Sequence, residues 1–483
     1  MRRLNLLVDL GLVAVCALAA ALLGQDANWD QLQYHFWYPW QLFHGGFNDP
    51  DLYGGRFQNP LSQVPFYVLA NWVQPHVAQV LLGAMAGVAA VLTRRIAMRV
   101  LPFTGGGQVA SSAGAAVLAV VAAGFRSELG TSYSDVLLAS LLLGGLLLVL
   151  RTRSWPTALA GLLAGAAVGL KYTSAPFAVA AVVALLVLPE RRMNRIGLWV
   201  AGAGLGWIVT GAAWAWNLWR TYDSPVFPFW NTIFGSRWFP GTNLTDERYG
   251  VSGLGGWLTW PWDMATGSAR VLDLPVRDPR WLLLIAALVL LAIGWRKLTP
   301  PLAAVVAFTL VGLAVWLAVF GVIRYAIPAE MTAAVLIVAA VARWSSARVT
   351  VAASLALALA AGLLTQSAQG RRVEFGQRWY EVEPGAFDRV QSGDVVLVDG
   401  QYPSTYLLPG QLPAGVGVHV VQKDFTGTPL LERLSDEIKG ARVWVVTDDP
   451  PSQVDPVVGT IDYEDCTRIR SNVVNRRLCP VTL

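Results

Sequence analysis

Thr157-Ala-Leu-Ala-Gly-Leu-Leu-Ala-Gly-Ala-Ala-Val-Gly-Leu-Lys-Tyr-Thr-Ser-Ala-Pro-Phe-Ala-Val-Ala-Ala-Val-Val-Ala-Leu-Leu-Val-Leu-Pro189 is apolar throughout except for Lys171-Tyr-Thr-Ser174 at its middle. Arginine knots flank it, Arg151/Arg153 before and Arg191/Arg192/Arg195 after. Knots beside apolar runs mark the cytoplasmic side of a membrane. With both knots on one side, the chain between them crosses an even number of times. Two helices of roughly 14 residues reach only about 21 Å, short of a hydrocarbon core about 30 Å thick. The turn Leu170-Lys-Tyr-Thr-Ser-Ala-Pro176 is therefore expected below the outer surface, inside a cavity.

The same parity extends outward along the chain. Further knots stand at Arg94/Arg95/Arg99, Arg296/Lys297 and Arg343/Arg348. Between them, apolar runs at 4–24, 76–93, 109–124, 135–150, 196–216, 281–295, 301–320, 327–342 and 349–365 complete about eleven spans of the length a bilayer asks for. The N-terminus is then cytoplasmic. The loops 25–60 and 217–280 and the C-terminus lie outside the cell (plasma) membrane. The first run lacks a small-residue cleavage site and reads as an anchor rather than a signal peptide. Of 483 residues 55% are hydrophobic and 14% charged, against about 25% charge in a soluble chain; a soluble enzyme is excluded. The net charge of +5 lies mostly in the knots, with no basic stripe interleaved with aromatics, so no nucleic-acid partner is expected.

Residues 1–366 are expected to form the membrane domain and 367–483 a small extracytoplasmic α/β domain. In the latter, short β-branched runs at Val395–Asp399, Val418–Val421 and Arg442–Thr447 alternate with a helix-like stretch at 429–440. Cys466 and Cys479 fall in this domain, where an oxidising compartment permits a disulfide, with Asn472-Val-Val-Asn475 turning the chain back between them. Cys16 is alone in the first span and reads as a small buried hydrophobe. No cysteine or histidine spacing suits zinc.

In the first loop, Asp30, Tyr34, Trp37 and Gln41 recur at helical spacing, suggesting a short helix along the membrane interface, its aromatics forming an interfacial belt. Asp30 near the helix start has two readings, a catalytic carboxylate or a residue stabilised by the helix dipole. Asp26 has the same two, and Asn28 is an equally good cap.

The string Asn28-Trp29-Asp30-x-x-x-Tyr34-His35 resembles the first-loop motif of the GT-C superfamily of membrane glycosyltransferases. Asn59-Pro60, Gly169-Leu-Lys171, Ser224-Pro-Val-Phe-Pro-Phe-Trp-Asn231 and Arg324-Tyr-Ala-Ile-Pro328 are similar to features of bacterial members, of the protein-mannosyltransferase and aminoarabinose-transferase kind. The resemblance covers roughly residues 4–345. It implies inverting sugar transfer on the outer face, from a polyprenyl-phosphate-linked donor to an envelope glycan, lipid or protein.

The residue chemistry fits such a transfer. An acceptor hydroxyl needs one base, and the resemblance selects Asp30 over Asp26. A phosphate leaves as a stable anion, so the paired acid of glycoside hydrolysis is not required. Positive charge where it leaves is required. Lys171, with Arg324 and Tyr325, is expected to supply it, and removing Lys171 is expected to leave folding near normal. For Lys171 and Arg324 the bland reading is snorkelling. Asp26, Tyr34, His35, Glu128 and Asp135 are expected to face acceptor or sugar. Glu128 has as its alternative a surface pair with Arg126, and Asp135 matches a recurrent family acid. A divalent cation bound through oxygens is conceivable chemistry at these acids, but no metal or cofactor is expected. The loop 217–280, rich in Trp, Pro and Gly, shows little helical periodicity; its tryptophans suit sugar stacking or interfacial anchoring. Asn243-Leu-Thr245 reads as an incidental sequon. A transporter or flippase for an envelope lipid or glycolipid is the competing class, although no second copy of a broken helix is found. A structural envelope protein is a third and would leave Lys171 unexplained.

Overall fold

The computed structural model of the chain describes all residues except 46–50, 152–153, 190–191, 245–247, 450–458 and 483, and omits the Lys297 side chain. Arg153 and Arg191 of the expected knots and Thr245 of the sequon lie outside the described residues. Asn243 itself accepts from the backbone N–H and hydroxyl of Thr232.

The protein is predominantly helical with a small C-terminal sheet. Six described helices are long and apolar enough to cross a membrane: Arg2–Leu22, Pro75–Val100, Arg192–Tyr222, Pro300–Val319, Ile323–Trp344 and Ala347–Leu364. Four shorter apolar ones accompany them, Asp135–Val149, Trp155–Leu170, Tyr172–Val187 and Arg280–Ile293. The run expected at 109–124 is the 16-residue helix Gly105–Val120. This is the helix inventory of a membrane protein. The chain divides into two compact units, Met1–Leu23 with Val80–Ala212 and Asp246–Gln369, and Gly24–Gln79 with Ala213–Thr245 and Gly370–Leu483.

In the first unit, the 157–189 stretch is two short helices, Trp155–Leu170 and Ala175–Val187, joined by a 3-10 turn at Tyr172–Ser174. Helix Trp155–Leu170 lies against Arg192–Trp207 at backbone contact distance. A Cβ on Gly165 would sit 1.9 Å from the carbonyl oxygen of Ala203, and one on Gly202 would sit 2.0 Å from that of Ala158. These are the small-residue contacts that let apolar helices pack where no water drives them together. Two knot arginines are structural as well as basic. Arg94 is buried and bonds Asp9 (2.6 Å) and Asn5, while Arg195 donates to Thr157 Oγ1 and to the carbonyls of Val149 and Arg151. Within the loop 217–280, where little helical periodicity is read, Gly253–Thr266 is a helix despite Pro261. It forms because Trp260 on its inner side packs against Trp281 and Trp316, so tertiary burial overrides poor propensity.

The second unit carries a sheet in the order 417–421, 395–399, 443–447, 476–482, 460–461. The first three strands are parallel, and Arg476–Thr482 runs antiparallel to Val443–Thr447. Helix Pro429–Glu437 starts at a Thr428 cap. The three expected strands, the helix and the Cys466–Cys479 disulfide are all present; closing so short a loop contributes about 3 kcal/mol. The contact boundary beside the expected 366/367 falls at Gln369/Gly370, and the second unit also takes in Gly24–Gln79 and Ala213–Thr245. Gln25–Asp26 pairs with Arg372–Val373, and Leu52 bridges to Val421 with Asp51 accepting from Val420 N–H at 2.7 Å. The backbone of the first loop is thus completed by strands from the other end of the chain.

Candidate active site

The chemistry-bearing residues fall into two groups, one in each unit. In the first unit, a short helix Ala123–Glu128 ends beside the start of helix Asp135–Val149 and the Lys171 turn. Lys171 is buried, with Nζ 2.8 Å from both carboxylate oxygens of Asp135. The Tyr325 ring centroid lies 4.7 Å from that nitrogen. Burial works against the ammonium, and the Asp135 carboxylate and the Tyr325 ring offset that cost. Arg324 is half-buried, its guanidinium 4.5 Å from the Tyr133 ring centroid and 5.4 Å from that of Tyr325.

Glu128 is 3% exposed, and its Oε2 accepts the Val136 N–H at 3.1 Å. The expected surface pair with Arg126 does not form. Arg126 instead donates to the carbonyls of Gly362 and Thr365, and Glu128 turns inward to Asp135. Nor is Lys171 a lone ammonium, since Asp135 holds it. Snorkelling is therefore the wrong description of Lys171. Asp135 is fully engaged as its partner and does not face solvent.

The position of Glu128 has a cause that went unseen in the sequence. At the other end of its helix, the Gly124 and Phe125 N–H groups donate to the two Glu330 oxygens (2.9 and 3.0 Å), and Ala123 N–H donates to Asp278 (3.1 Å). Arg280 neutralises both acids, at 2.5 Å from Asp278 and 3.8 Å from Glu330. Carboxylates at a helix N-terminus satisfy its orphan donors and complement its dipole. The signal was available: Glu330 is an acid at the head of an apolar span, which is a functional flag in its own right.

In the second unit, the first loop is not one α-helix. A π-helical turn covers Gln31–His35, followed by α-helix Trp37–His44. Asn28 is the cap, its side chain accepting from Gln31 N–H at 2.9 Å. That leaves Asp30 half-buried with Oδ2 accepting the Tyr34 hydroxyl at 2.9 Å. Asp26 is fully buried and accepts from Asn28 Nδ2 at 2.6 Å. His35 and Tyr34 are buried edge to face, and Trp37 and Tyr38 are buried as well. The aromatics expected as an interfacial belt are mostly core, packed with residues such as Tyr406 and Leu407; Trp29 alone of the motif's rings is 40% exposed. Asp26 and His35 are therefore not open to an acceptor, because burial and strand pairing close them off. The π turn is held by the C-terminal residues of the same unit: Ser404 N–H donates to Gln33 Oε1 at 3.0 Å, and Thr405 Oγ1 donates to the Leu32 and Gln33 carbonyls.

Among the described residues no group of three or more His, Cys, Asp or Glu side chains converges as a metal site. Compared with known proteins, the chain matches no family model, no curated protein and no solved structure.

Proposed function

We propose that the protein is an extracytoplasmic glycosyltransferase of the polytopic membrane class, transferring a sugar with inversion from a polyprenyl-phosphate donor to an envelope acceptor. The observation that carries the reading is the group of buried Lys171, Asp135 and Glu128 with half-buried Arg324, set under the rings of Tyr133 and Tyr325. A buried cation with a second, half-buried one beside it is costly unless it serves a purpose, and held positive charge is what a departing phosphate needs. Lys171, Arg324 and Tyr325 take the donor phosphate in this reading. Asp30 is the base, oriented by the Tyr34 hydroxyl and, of the two motif acids, the one with an exposed face. It takes the acceptor hydroxyl's proton as the oxygen attacks the anomeric carbon and the phosphate leaves with the bonding electrons.

General-base assistance is worth 10²–10⁴-fold. Asp30→Asn should lose turnover on that scale while still binding donor lipid, and Asp26→Asn should act only through stability. Wild-type turnover in Asp30→Asn would overturn the mechanism. A lipid transporter is the second reading, favoured by the break between two short apolar helices at Lys171–Ser174, since broken helices line transport sites.

A further inference from the structure

We propose that Glu330 is a positioning residue: through the short helix Ala123–Glu128 it fixes where the Lys171 ammonium stands relative to Arg324, and so aligns the two cations on a departing phosphate. The alignment on phosphate rests on the reading above; the fixed placement of Lys171 does not.

Three carboxylate grips in series lead from one cation to the other. Glu330 lies in the first turn of helix Ile327–Trp344, directly after the 3-10 turn Ile323–Ala326 that carries Arg324 and Tyr325. Its two oxygens take the Gly124 and Phe125 N–H groups at 2.9 and 3.0 Å, so the head of helix Ala123–Glu128 is held from the Arg324 side. At the tail of that helix, Glu128 Oε2 accepts the Val136 N–H at 3.1 Å and holds the first turn of helix Asp135–Val149. Asp135 in that turn takes Lys171 Nζ at 2.8 Å with each oxygen. The Tyr325 ring, its centroid 4.7 Å from the same nitrogen, closes the circuit.

The helix between the first two grips has six residues, too few to hold itself, so its direction is set by what grips its ends. Its head is shaped for Glu330. A Cβ built on Gly124 would sit 2.7 Å from Glu330 Oε2, so a side chain at this position would push the carboxylate away. Asp278 takes the next donor, Ala123 N–H, at 3.1 Å, and Arg280 balances both acids. Glu330, Asp278 and Arg280 are each at most 2% exposed, so water cannot substitute for any of them. Apolar residues of similar volume would hold such a contact as stably. What they lack is direction, since a hydrogen bond fixes angle as well as length. Direction matters here because misplacing a catalytic group by about 1 Å costs on the order of 10²-fold.

Magnetic resonance of nitrogen-labelled lysine and steady-state kinetics, both on the purified full-length chain in detergent, test the two halves. The chain has four lysines, and the Lys171 ammonium is the resonance that survives Lys297→Arg, Lys423→Arg and Lys439→Arg. Glu330→Gln keeps the size of the side chain and loses the charge and one acceptor. It should shift that resonance and lower kcat for polyprenyl-phosphate release by about 10–100-fold per folded molecule. The donor KM should stay within about threefold, because both cations remain to bind the ground state. Glu330→Asp, which keeps the charge but draws the grip back by one methylene, should do the same. Gly124→Ala, which displaces the carboxylate from the other side, is the second variant should those fold poorly. A loss confined to unfolding midpoints, with the Lys171 resonance unshifted in folded Glu330→Gln and Gly124→Ala, overturns the positioning. A Glu330→Asp chain with wild-type resonance and turnover overturns it too, since charge alone would then suffice. A shifted resonance with wild-type kcat overturns the alignment on phosphate. If the wild type releases no polyprenyl phosphate, the transferase reading falls, and the resonance still decides whether Glu330 places Lys171.

Discussion

Lys171→Met should destabilise the protein strongly, contrary to the near-normal folding expected for a lone ammonium. Both side chains of the Lys171–Asp135 pair are almost inaccessible, at 3% and 4% exposure, so water cannot take the place of either partner. At 2.8 Å the gross attraction is about 6 kcal/mol for an effective dielectric constant near 20. Desolvation of the two ions offsets much of that, and removing one partner of such a pair costs about 3–5 kcal/mol because the other charge is stranded. Asp135→Asn should cost a similar amount. The double variant Lys171→Met/Asp135→Asn should recover most of the loss, since neither charge of the pair is left stranded. The assay is equilibrium unfolding in mixed detergent micelles, read as a double-mutant cycle. A double variant no more stable than the sum of the singles, or a Lys171→Met chain within about 1 kcal/mol of wild type, would refute the buried-pair argument.

Gly165→Ala should cost about 1–3 kcal/mol, because its Cβ would sit 1.9 Å from a backbone oxygen, whereas Gly204→Ala, with open space around it, should be neutral in the same unfolding assay. Burial and the Asp135 charge push the Glu128 carboxyl well above the usual carboxylate range, against the opposing pull of Arg324 and Lys171, so it binds a proton in the folded chain over a range where an unfolded glutamate is ionised. Stability should therefore fall as pH rises from the ordinary carboxylate value toward the raised one, and Glu128→Gln should flatten that slope in unfolding midpoints measured across pH 5–8. Lys439, in the C-terminal segment expected outside the membrane, is exposed. A Lys439→Cys chain should react with a membrane-impermeant thiol reagent in outer-permeabilised cells, and protection until lysis would reverse the proposed orientation.

Much of the helical layout was legible because it is written locally. The apolar runs, the polar break at Lys171-Tyr-Thr-Ser174 and the β-branched strands of residues 395–447 each follow from neighbours in sequence. The disulfide was legible because its two cysteines share a short, extracytoplasmic-looking segment. What escaped was pairing over distance. Nothing local to Glu128 says that it turns to Asp135 rather than Arg126, since the choice is made by Gly362 and Thr365 taking the arginine. Nothing local to Gly124 announces Glu330, about 200 positions later. The first loop looked like a surface helix because Tyr34, Trp37 and Tyr38 are as suited to an interface as to a core. Strand Arg372–Val373 and the Ser404–Leu407 turn decide for the core. Asp30 kept its candidacy for a reason the spacing could not supply: Asn28 takes the cap and frees the carboxylate for Tyr34.

Bond cleavage is the measurement closest to the central claim. Purified protein reconstituted in liposomes, given a polyprenyl-phosphate sugar labelled in both sugar and lipid, should release polyprenyl phosphate and move the sugar label to an acceptor, with Asp30→Asn slower by 10²–10⁴-fold. Movement of intact donor lipid between leaflets, with both labels still joined and no difference between wild type and Asp30→Asn, would contradict the glycosyltransferase account and leave the transporter reading in its place.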